Sequence, residues 1–226
     1  MEFNAIIKSI KASYNPKAIA GMGRFGINPH NTYGVSVPAL RKMAKKIGKN
    51  HALALKLWDS DIHEARLLAS FIDDPNLVTE RQMGSWVKDF DSWDVCDQCC
   101  SNLFDRTKFA YKKALEWSKR KEEFVKRSGF VLMAALSVHD REVSDKEFVK
   151  FLSIIKREAI DERNFVRKAV NWALRQIGKR NVRLNKAAIK TAKEIQKIDS
   201  KAARWIAGDA LRELTSRAVQ SKIKGK

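Results

Sequence analysis

The chain of 226 residues carries 45 lysines and arginines against 26 aspartates and glutamates, so its formal net charge at pH 7 is +19. Hydrophobic residues make up 44% of it, a composition that excludes a disordered basic tail protein. Its longest apolar run, residues 130–136, is far shorter than the roughly 20 residues that a membrane-spanning helix needs. Because so large an excess of one charge repels itself in the folded state, we expect an anionic partner.

Glycine and proline concentrate near the N-terminus. The segment 21–30 holds three glycines and a proline, which predicts a loop between two helices. Ser36 suits the N-cap of the next helix, and Pro38 fits its first turn. The first residues show neither the basic region nor the apolar core of a signal peptide, so we expect a cytoplasmic protein, associated with the nucleoid if it is prokaryotic.

Most of the remaining chain has the periodicity of helices. Apolar residues recur at spacings of three and four in 65–72 and again in 124–136. Period-two alternation bounded by turn residues, the signal of strands, never persists for more than a few residues. The sequence therefore predicts an all-α protein.

Short segments echo one another at the intervals of helical repeats. Residues 124–128 are echoed by 165–169, 41 residues later, and residues 173–175 by 210–212, 37 residues later. Two-helix repeats of about 40–47 residues are typical of HEAT and armadillo proteins, in which they stack into a solenoid.

We therefore expect a single domain over residues 1–226. Its predicted architecture is a curved right-handed solenoid of HEAT-like two-helix repeats with a concave basic face. About residues 216–226 are predicted to form a frayed basic tail. An irregular helical bundle with chance echoes is the alternative.

Basic residues recur near the predicted start of the second helix of each repeat, namely Arg66, Arg127, Arg167 or Lys168, and Arg204. Equivalent positions of successive repeats line up on one surface, so these side chains are expected to form a stripe. Cations at one-repeat intervals suit the regularly spaced phosphates of a nucleic acid. Alternatively, each arginine pairs with a nearby carboxylate, such as Glu64 or Glu162, and only solvates a helix face.

The segment 91–100 is the most unusual in the chain. If a helix begins near Trp93, Asp97 follows one turn later on the same face, whereas Asp94 lies where a carboxylate caps free amides. Asp97 is then either desolvated beside a partner or placed to receive a cationic ligand. A second tryptophan, Trp172, occupies a position that other repeats fill with small or aliphatic residues. Core packing is the alternative role for both tryptophans.

Three cysteines, Cys96, Cys99 and Cys100, lie within five positions. An odd number cannot form a disulfide framework, and structural zinc or the common iron–sulfur clusters need a fourth ligand. We expect buried free thiols, and neither a metal nor another cofactor.

Five short sequences carry a resemblance to a known family. They read Tyr-Gly-Val-Ser-Val-Pro-Ala-Leu-Arg at 33–41, Leu-Trp-Asp-Ser-Asp-Ile-His-Glu-Ala-Arg at 57–66, Ser-Trp-Asp-Val-Cys-Asp at 92–97, Lys-Arg-Ser-Gly at 126–129 and Val-Asn-Trp-Ala-Leu-Arg at 170–175. In this order they resemble the AlkD-type DNA alkylation repair proteins, which are HEAT-like-repeat DNA glycosylases that remove N3- and N7-alkylated purines. The W-D-x-x-D run of that family is matched in full by Trp93, Asp94 and Asp97.

The resemblance implies a role for each matched residue. Asp97 is expected to be the catalytic carboxylate, Trp93 and Trp172 to pack against the damaged nucleotide, and Arg127 to hold the DNA backbone beside it. Further expected contacts to the DNA backbone are Arg41, Arg66, Lys168 and Arg175. One departure is Ser92, which stands where an aromatic residue is common in the family.

The chemistry of the motif agrees with this activity. Breaking an N-glycosidic bond develops positive charge on the sugar, which a carboxylate such as Asp97 stabilises. No acid accompanies the motif to protonate a neutral purine, but an N3- or N7-alkylated purine is already positive and departs without a proton. Because no motif marks an amine nucleophile, we predict a monofunctional glycosylase without lyase activity. The resemblance implies that it acts on double-stranded DNA and, together with the absence of a heptad pattern, favours a monomer.

Two other functions remain compatible with the sequence. A non-catalytic HEAT-like-repeat protein that recognises distorted or branched DNA explains the charge, but gives no reason for an aspartate facing phosphate. A scaffold for acidic protein partners explains the repeats alone.

Overall fold

A computed structural model of the protein describes residues 2–224. Within this range the chain forms fourteen α-helices and two short 3-10 turns but no β-strand, which confirms the all-α class. The helices are α1 (Phe3–Ala12), α2 (Pro16–Arg24), α3 (Val37–Ile47), α4 (His51–Trp58), α5 (His63–Ile72), α6 (Glu80–Trp86), α7 (Trp93–Asn102), α8 (Ala110–Trp117), α9 (Glu123–His139), α10 (Asp145–Glu158), α11 (Asn164–Gly178), α12 (Val182–Gln196), α13 (Lys201–Leu214) and α14 (Arg217–Lys224). The 3-10 turns are Val87–Asp89 and Phe104–Arg106. Among the described helices, none is long and apolar enough to cross a lipid bilayer.

Many helices begin at a side chain that accepts a hydrogen bond from a backbone amide of the first turn. Ser36 accepts from the amide of Ala39 at 3.4 Å, and Pro38 stands in the first turn of α3, as the sequence predicts. Further caps of this kind are Asn15, Asn50, Thr79, Asn181 and Ser200. The starts of these helices are therefore specified locally.

The predicted loop over residues 21–30 is wrong in its first part. Helix α2 continues through two glycines to Arg24. It does so because Asn15 caps its first turn, with 3.0 Å between the side-chain oxygen and the amide of the third helical residue, and because Pro16 supplies the fixed φ that suits a helix start. The loop begins only at Phe25.

The described chain forms two compact units, one up to residue 109 and the other from residue 110 onward. In the first unit α5 lies at the centre, packed against α3, α4 and α7. This helix completely buries the apolar residues whose spacing predicted it, namely Ala65, Leu68, Ala69 and Ile72. The single domain over residues 1–226 stays a prediction.

The second unit is built from helix pairs in two layers. Helices α9, α11 and α13 pack in one layer, and α10 and α12 lie against them in the other. The starts of α9, α11 and α13 at residues 123, 164 and 201 give repeat intervals of 41 and 37 residues, as the sequence predicts. The rings of Phe124 and Phe165, equivalent residues of successive repeats, lie 5.6 Å apart. This is the two-helix organisation of HEAT-like repeats; the handedness and curvature of the solenoid stay predictions.

The prediction of a frayed tail over residues 216–226 is wrong for most of its length. Arg217–Lys224 forms helix α14, which packs against α13. Val219 and Ile223 are buried because their spacing of four residues places them on one face of this helix. Residues 225 and 226 lie outside the described residues.

Candidate functional site

The segment singled out by the sequence forms α7, which begins at Trp93 as predicted. One face of α7 is buried in the first unit, namely Val95, Cys96, Cys99 and Cys100. Trp93 and Asp97 are only half-buried and follow each other at the spacing of one turn. An indole and a carboxylate therefore lie together at the surface of this helix.

A hydrogen bond fixes the orientation of the Trp93 indole, whose Nε1 donates to the carbonyl oxygen of Phe25 at 3.0 Å. Just beyond Phe25, the backbone amide of Asn28 donates to Oγ of Ser92 at 2.9 Å, and its side-chain amide donates to Asp91 at 2.6 Å. The fully buried Ser92 thus anchors the loop that holds the indole. The serine that departs from the family pattern has a definite structural role.

The same loop is held by a buried carboxylate. Glu64, which is fully buried, accepts hydrogen bonds from the backbone amides of Tyr33, Gly34 and Val35 at 2.6–3.2 Å. Gly34 has a φ of +79°, a conformation that L side chains rarely adopt. The suggested pairing of Glu64 with an arginine is therefore wrong, because its oxygens bind backbone amides instead.

Asp94 contacts the first turn of α7, since its Oδ1 accepts from the amide of Val95 at 2.9 Å. Its Oδ2 accepts from Nε2 of His63 at 2.9 Å, and both side chains are nearly buried. Burial opposes protonation of His63, but the hydrogen bond and the charge of Asp94 outweigh it and raise the pKa of His63 above its usual value. Sequence analysis assigns no role to His63, because no local signal links it to Asp94, 31 positions away.

Arg41 contacts α7 further along the helix. Its Nη2 donates to Oε1 of Gln98 at 2.9 Å and to Oδ1 of Asn102 at 3.0 Å, and its guanidinium stacks on Phe71 at 4.5 Å from the ring centroid. A guanidinium has five N–H donors, so Arg41 keeps donors beyond these two bonds. Trp93 and Asp97 thus share one face of α7, and Arg41 contacts the second half of the helix through Gln98 and Asn102.

In the second unit, α11 carries the other predicted tryptophan. Trp172 is half-buried, and Lys168 precedes it by one turn and is exposed. Helix α9 carries Arg127, which is only 5% exposed and whose Nη1 donates to the carbonyl oxygen of Phe165 at 2.5 Å. The contact ties one repeat to the next, and Lys168 and Trp172 share one surface of α11.

Two arginines of the expected stripe, Arg66 and Arg204, have acidic partners, as does Arg175, which was expected to contact the DNA backbone. The pairs are Arg66 with Asp61 at 2.8 Å, Arg175 with Glu213 and, at 3.5 Å, with Asp209, and Arg204 with Asp199 at 2.8 Å. Arg167 stacks on the indole of Trp205, 4.8 Å from the ring centroid. Their predicted positions near the starts of α5, α11 and α13 are confirmed for Arg66, Arg167 and Arg204; binding of a nucleic acid by the stripe stays a prediction.

Glu162 was the second carboxylate suggested as a partner of these arginines. Its Oε1 instead accepts from Oγ of Ser200 at 2.9 Å and from the amide of Ala202 at 3.0 Å. The pKa of Glu162 is lowered, first by the backbone hydrogen bond from Ala202 and then by the hydroxyl of Ser200. Glu162 therefore stabilises the start of α13.

The three cysteines are buried thiols that form no disulfide, as predicted. Burial raises the pKa of Cys99 well above its usual value, so its thiol stays protonated. Within residues 2–224 no group of three histidine, cysteine, aspartate or glutamate side chains is arranged to hold a metal ion.

Comparison with known proteins places the chain in context. Residues 6–214 match the family described as DNA alkylation repair enzyme. The uncharacterized proteins Lin0241 of Listeria innocua and Lmo0209 of Listeria monocytogenes are each 24% identical over 200 residues, which cover 87% of this chain and 87% of each relative. A solved structure described as a new family of proteins related to the HEAT-like repeat DNA glycosylases, with affinity for branched DNA structures, is similar with a TM-score of 0.78 and 20% identity over 94% of this chain and 95% of that one. The likeness confirms the HEAT-like fold.

Proposed function

Because the chain belongs to the DNA alkylation repair enzyme family, we propose that it is a DNA glycosylase that hydrolyses the N-glycosidic bond of N3- and N7-alkylated purines in double-stranded DNA. The observation that carries this proposal is the pair of half-buried side chains, Trp93 and Asp97, one turn apart on α7. The reaction is hydrolysis by water, without a covalent lyase step.

Asp97 is the proposed catalytic residue. As the bond breaks, the sugar acquires the character of an oxocarbenium ion, and a carboxylate held beside it stabilises that charge and orients the attacking water. Removing one such preorganised group from an active site typically costs about 2.7–4 kcal/mol of transition-state stabilisation. The backbone of α7 holds Asp97 in place, because the opposite face of this helix is buried.

Trp93 and Trp172 are the proposed platforms for the cationic lesion. The face of an indole attracts a nearby cation by about 0.5–2 kcal/mol. The bond from Trp93 to the carbonyl of Phe25 fixes its ring before DNA arrives, so little conformational entropy is lost on binding. On α11, Lys168 lies one turn from Trp172 and is available for a phosphate near the base that Trp172 contacts.

The surroundings of Asp97 favour a leaving group that is already charged. A neutral purine requires a general acid for departure. The histidine that contacts α7, His63, is 5% exposed and bonded to Asp94, so it is not presented to a substrate. We therefore expect activity on cationic N3- and N7-alkylated purines and little on neutral lesions.

Arg41, Arg66, Arg127 and Arg175 are proposed as further contacts to the DNA backbone. Each already has a partner within the protein, but a guanidinium has five N–H donors and can serve a protein group and a phosphate together. The contacts within the protein would then set the position of each guanidinium before DNA binds.

The decisive experiment measures base release from methylated double-stranded DNA by the wild type and by Asp97→Asn. We expect release of 7-methylguanine or 3-methyladenine by the wild type and a rate about 10²–10⁴ lower for Asp97→Asn, with DNA binding retained. Asp59→Asn, which changes an exposed carboxylate of the same unit, is the matched control and should keep the wild-type rate. An Asp97→Asn protein of full activity would refute the proposal.

A second candidate function is recognition of branched DNA without catalysis. It is favoured by the similar solved structure, whose description names an affinity for branched DNA. On this alternative, the wild type releases no base and binds a four-way junction more tightly than a methylated duplex. Asp97→Asn should then bind the junction at least as well as the wild type, because it removes a negative charge next to phosphate.

A further inference from the structure

Helix α12 lies in the same layer of the second unit as α10, and packs against α10, α11 and α13. Its buried face consists of Leu184, Asn185, Ala188, Ala192 and Ile195. The contact with α11 is close, since a Cβ placed on Gly178 would lie 3.0 Å from the Cβ of Ala188. The orientation of α12 about its own axis is therefore fixed.

The opposite face of α12 carries five exposed cations, which we call the α12 stripe: Arg183, Lys186, Lys190, Lys193 and, just after the helix, Lys197. At 100° per residue they fall within an arc of about 80°, centred opposite the buried face. At 1.5 Å per residue the stripe is about 21 Å long. A straight row of like charges thus runs the whole length of one helix.

No cation of the α12 stripe forms an ion pair or a side-chain hydrogen bond within the described chain. The nearest carboxylate on α12, Glu194, is bonded to Lys156 of α10 at 2.7 Å. That hydrogen bond and the charge of Lys156 lower the pKa of Glu194, with a further contribution from Lys190 and Lys197. The carboxylate at the edge of the stripe is therefore already paired with a different helix.

Helix α10 occupies the same place in the preceding repeat, but cations on its surface form ion pairs. Its Lys150 pairs with Glu147 at 2.7 Å, and its Arg157 pairs with Glu158 at 2.6 Å. Like charges three and four residues apart destabilise a helix by about 0.2–0.5 kcal/mol per pair. Repulsion within the stripe therefore destabilises α12, and binding of a polyanionic ligand explains why the chain carries these charges.

The geometry of the stripe favours a nucleic-acid duplex. Each strand of a duplex carries one phosphate per 3.4 Å of helix axis, so a stripe of about 21 Å spans the axial length of about six phosphates of each strand. A membrane surface fits less well, because most apolar residues of α12 are packed against other helices and Val182 is the one large apolar side chain exposed on this helix.

The α12 stripe lies on the other side of the unit from the proposed DNA contacts of α11. Lys168 and Trp172 lie opposite the centre of the buried face of α11, and α12 packs against α11 within the unit. Two packed helix layers are about 20 Å thick. Because duplex DNA has a persistence length of about 50 nm, a short duplex on α11 cannot bend around the unit to reach the stripe.

We propose that the α12 stripe binds the phosphate backbone of a second duplex, so that one protein molecule holds two duplex segments at once. This role goes beyond base release and does not require catalysis. It provides a physical means of retaining the protein at sites where two duplexes lie close together.

The test compares two triple variants of equal charge. Lys186→Gln, Lys190→Gln and Lys193→Gln remove the centre of the stripe, and the control carries Lys146→Gln, Lys150→Gln and Arg157→Gln on α10. All six residues are exposed, and glutamine has a helix propensity close to that of lysine and arginine, so both variants should fold. The experiment uses undamaged duplexes, so its outcome does not depend on whether the protein releases alkylated bases.

Each protein is bound to an immobilised duplex, and capture of a second, fluorescent duplex is measured at several salt concentrations. We expect the wild type and the α10 control to capture it, with one protein per two duplexes in sedimentation analysis. The α12 variant should capture at least about tenfold less, with a log–log salt slope shallower by about 2.7, while binding the first duplex within about twofold.

Three results would overturn the proposal. These are wild-type complexes that never exceed one duplex per protein, equal losses in the α12 and α10 variants, and undiminished capture by the α12 variant. Loss of binding to phosphatidylglycerol vesicles by the α12 variant, with duplex capture unchanged, would assign the stripe to membranes instead.

Discussion

The arginines of α5, α9 and α11 and the cations of the α12 stripe have the same formal charge but are held differently. Arg66, Arg127 and Arg175 donate to carboxylates or carbonyls of their own unit. The five cations of the α12 stripe are exposed and have no such partner in the described residues. The first group is held by bonds within its own unit and has only its remaining donors for a phosphate, whereas the second has all of its donors for a ligand. A count of charges is therefore a poor guide to where an anion binds.

The contrast between internally bound and exposed cations predicts the largest loss of stability where a buried, paired cation is removed. His63→Ala leaves the nearly buried carboxylate of Asp94 without its partner. Deleting one member of a buried pair typically costs about 3–5 kcal/mol, so we expect a loss of this size in the free energy of unfolding, measured in urea at pH 6.

The pH dependence of the same pair provides its control. Because the pKa of His63 is raised in the folded state, its contribution is complete below the usual histidine pKa of 6.5 and is lost as the pH rises through the folded value. The stability of the wild type relative to His63→Gln should therefore decline above pH 6.5. A constant difference between pH 6 and pH 8 would show that His63 is not charged in the fold.

A smaller effect is expected for Arg127→Met, which removes the donor to the Phe165 carbonyl between two repeats. A hydrogen bond from a charged group typically contributes about 1.5–3 kcal/mol, and the urea midpoint should fall accordingly. Arg204→Met removes an exposed pair with Asp199 and should cost less than about 1 kcal/mol. Equal losses in the two variants would erase the distinction between internally bound and exposed arginines.

Lys168→Gln should have the smallest effect on stability, but it should change the salt dependence of duplex binding. The side chain is exposed, so the free energy of unfolding should change by no more than about 0.5 kcal/mol. If Lys168 neutralises one phosphate, the log–log salt slope of duplex binding becomes shallower by about 0.9. An unchanged slope would remove Lys168 from the proposed interface.

Several features of the candidate site follow from the sequence because they are local. The helical spacing of Trp93 and Asp97 needs only the start of α7, and the repeat interval between α9 and α11 is visible in the echoed residues. The glycines of α2 were misleading, because the cap at Asn15 and the proline after it outweigh them. The prediction of a frayed tail is wrong because the segment has few apolar residues to indicate a helix, although the spacing of the two buried ones is that of a helix.

By itself, the sequence determined the helical class, the repeat interval, the excess positive charge and the residues of the family motif. These properties depend on spacing along one element or on simple composition. Only the tertiary structure decided which charges are paired. Glu64 and His63 have partners about 30 residues away, and the α12 stripe is unpaired because its neighbour Glu194 bonds to Lys156 of another helix. Pairing depends on which helices pack together, and no pattern within a single helix contains that information.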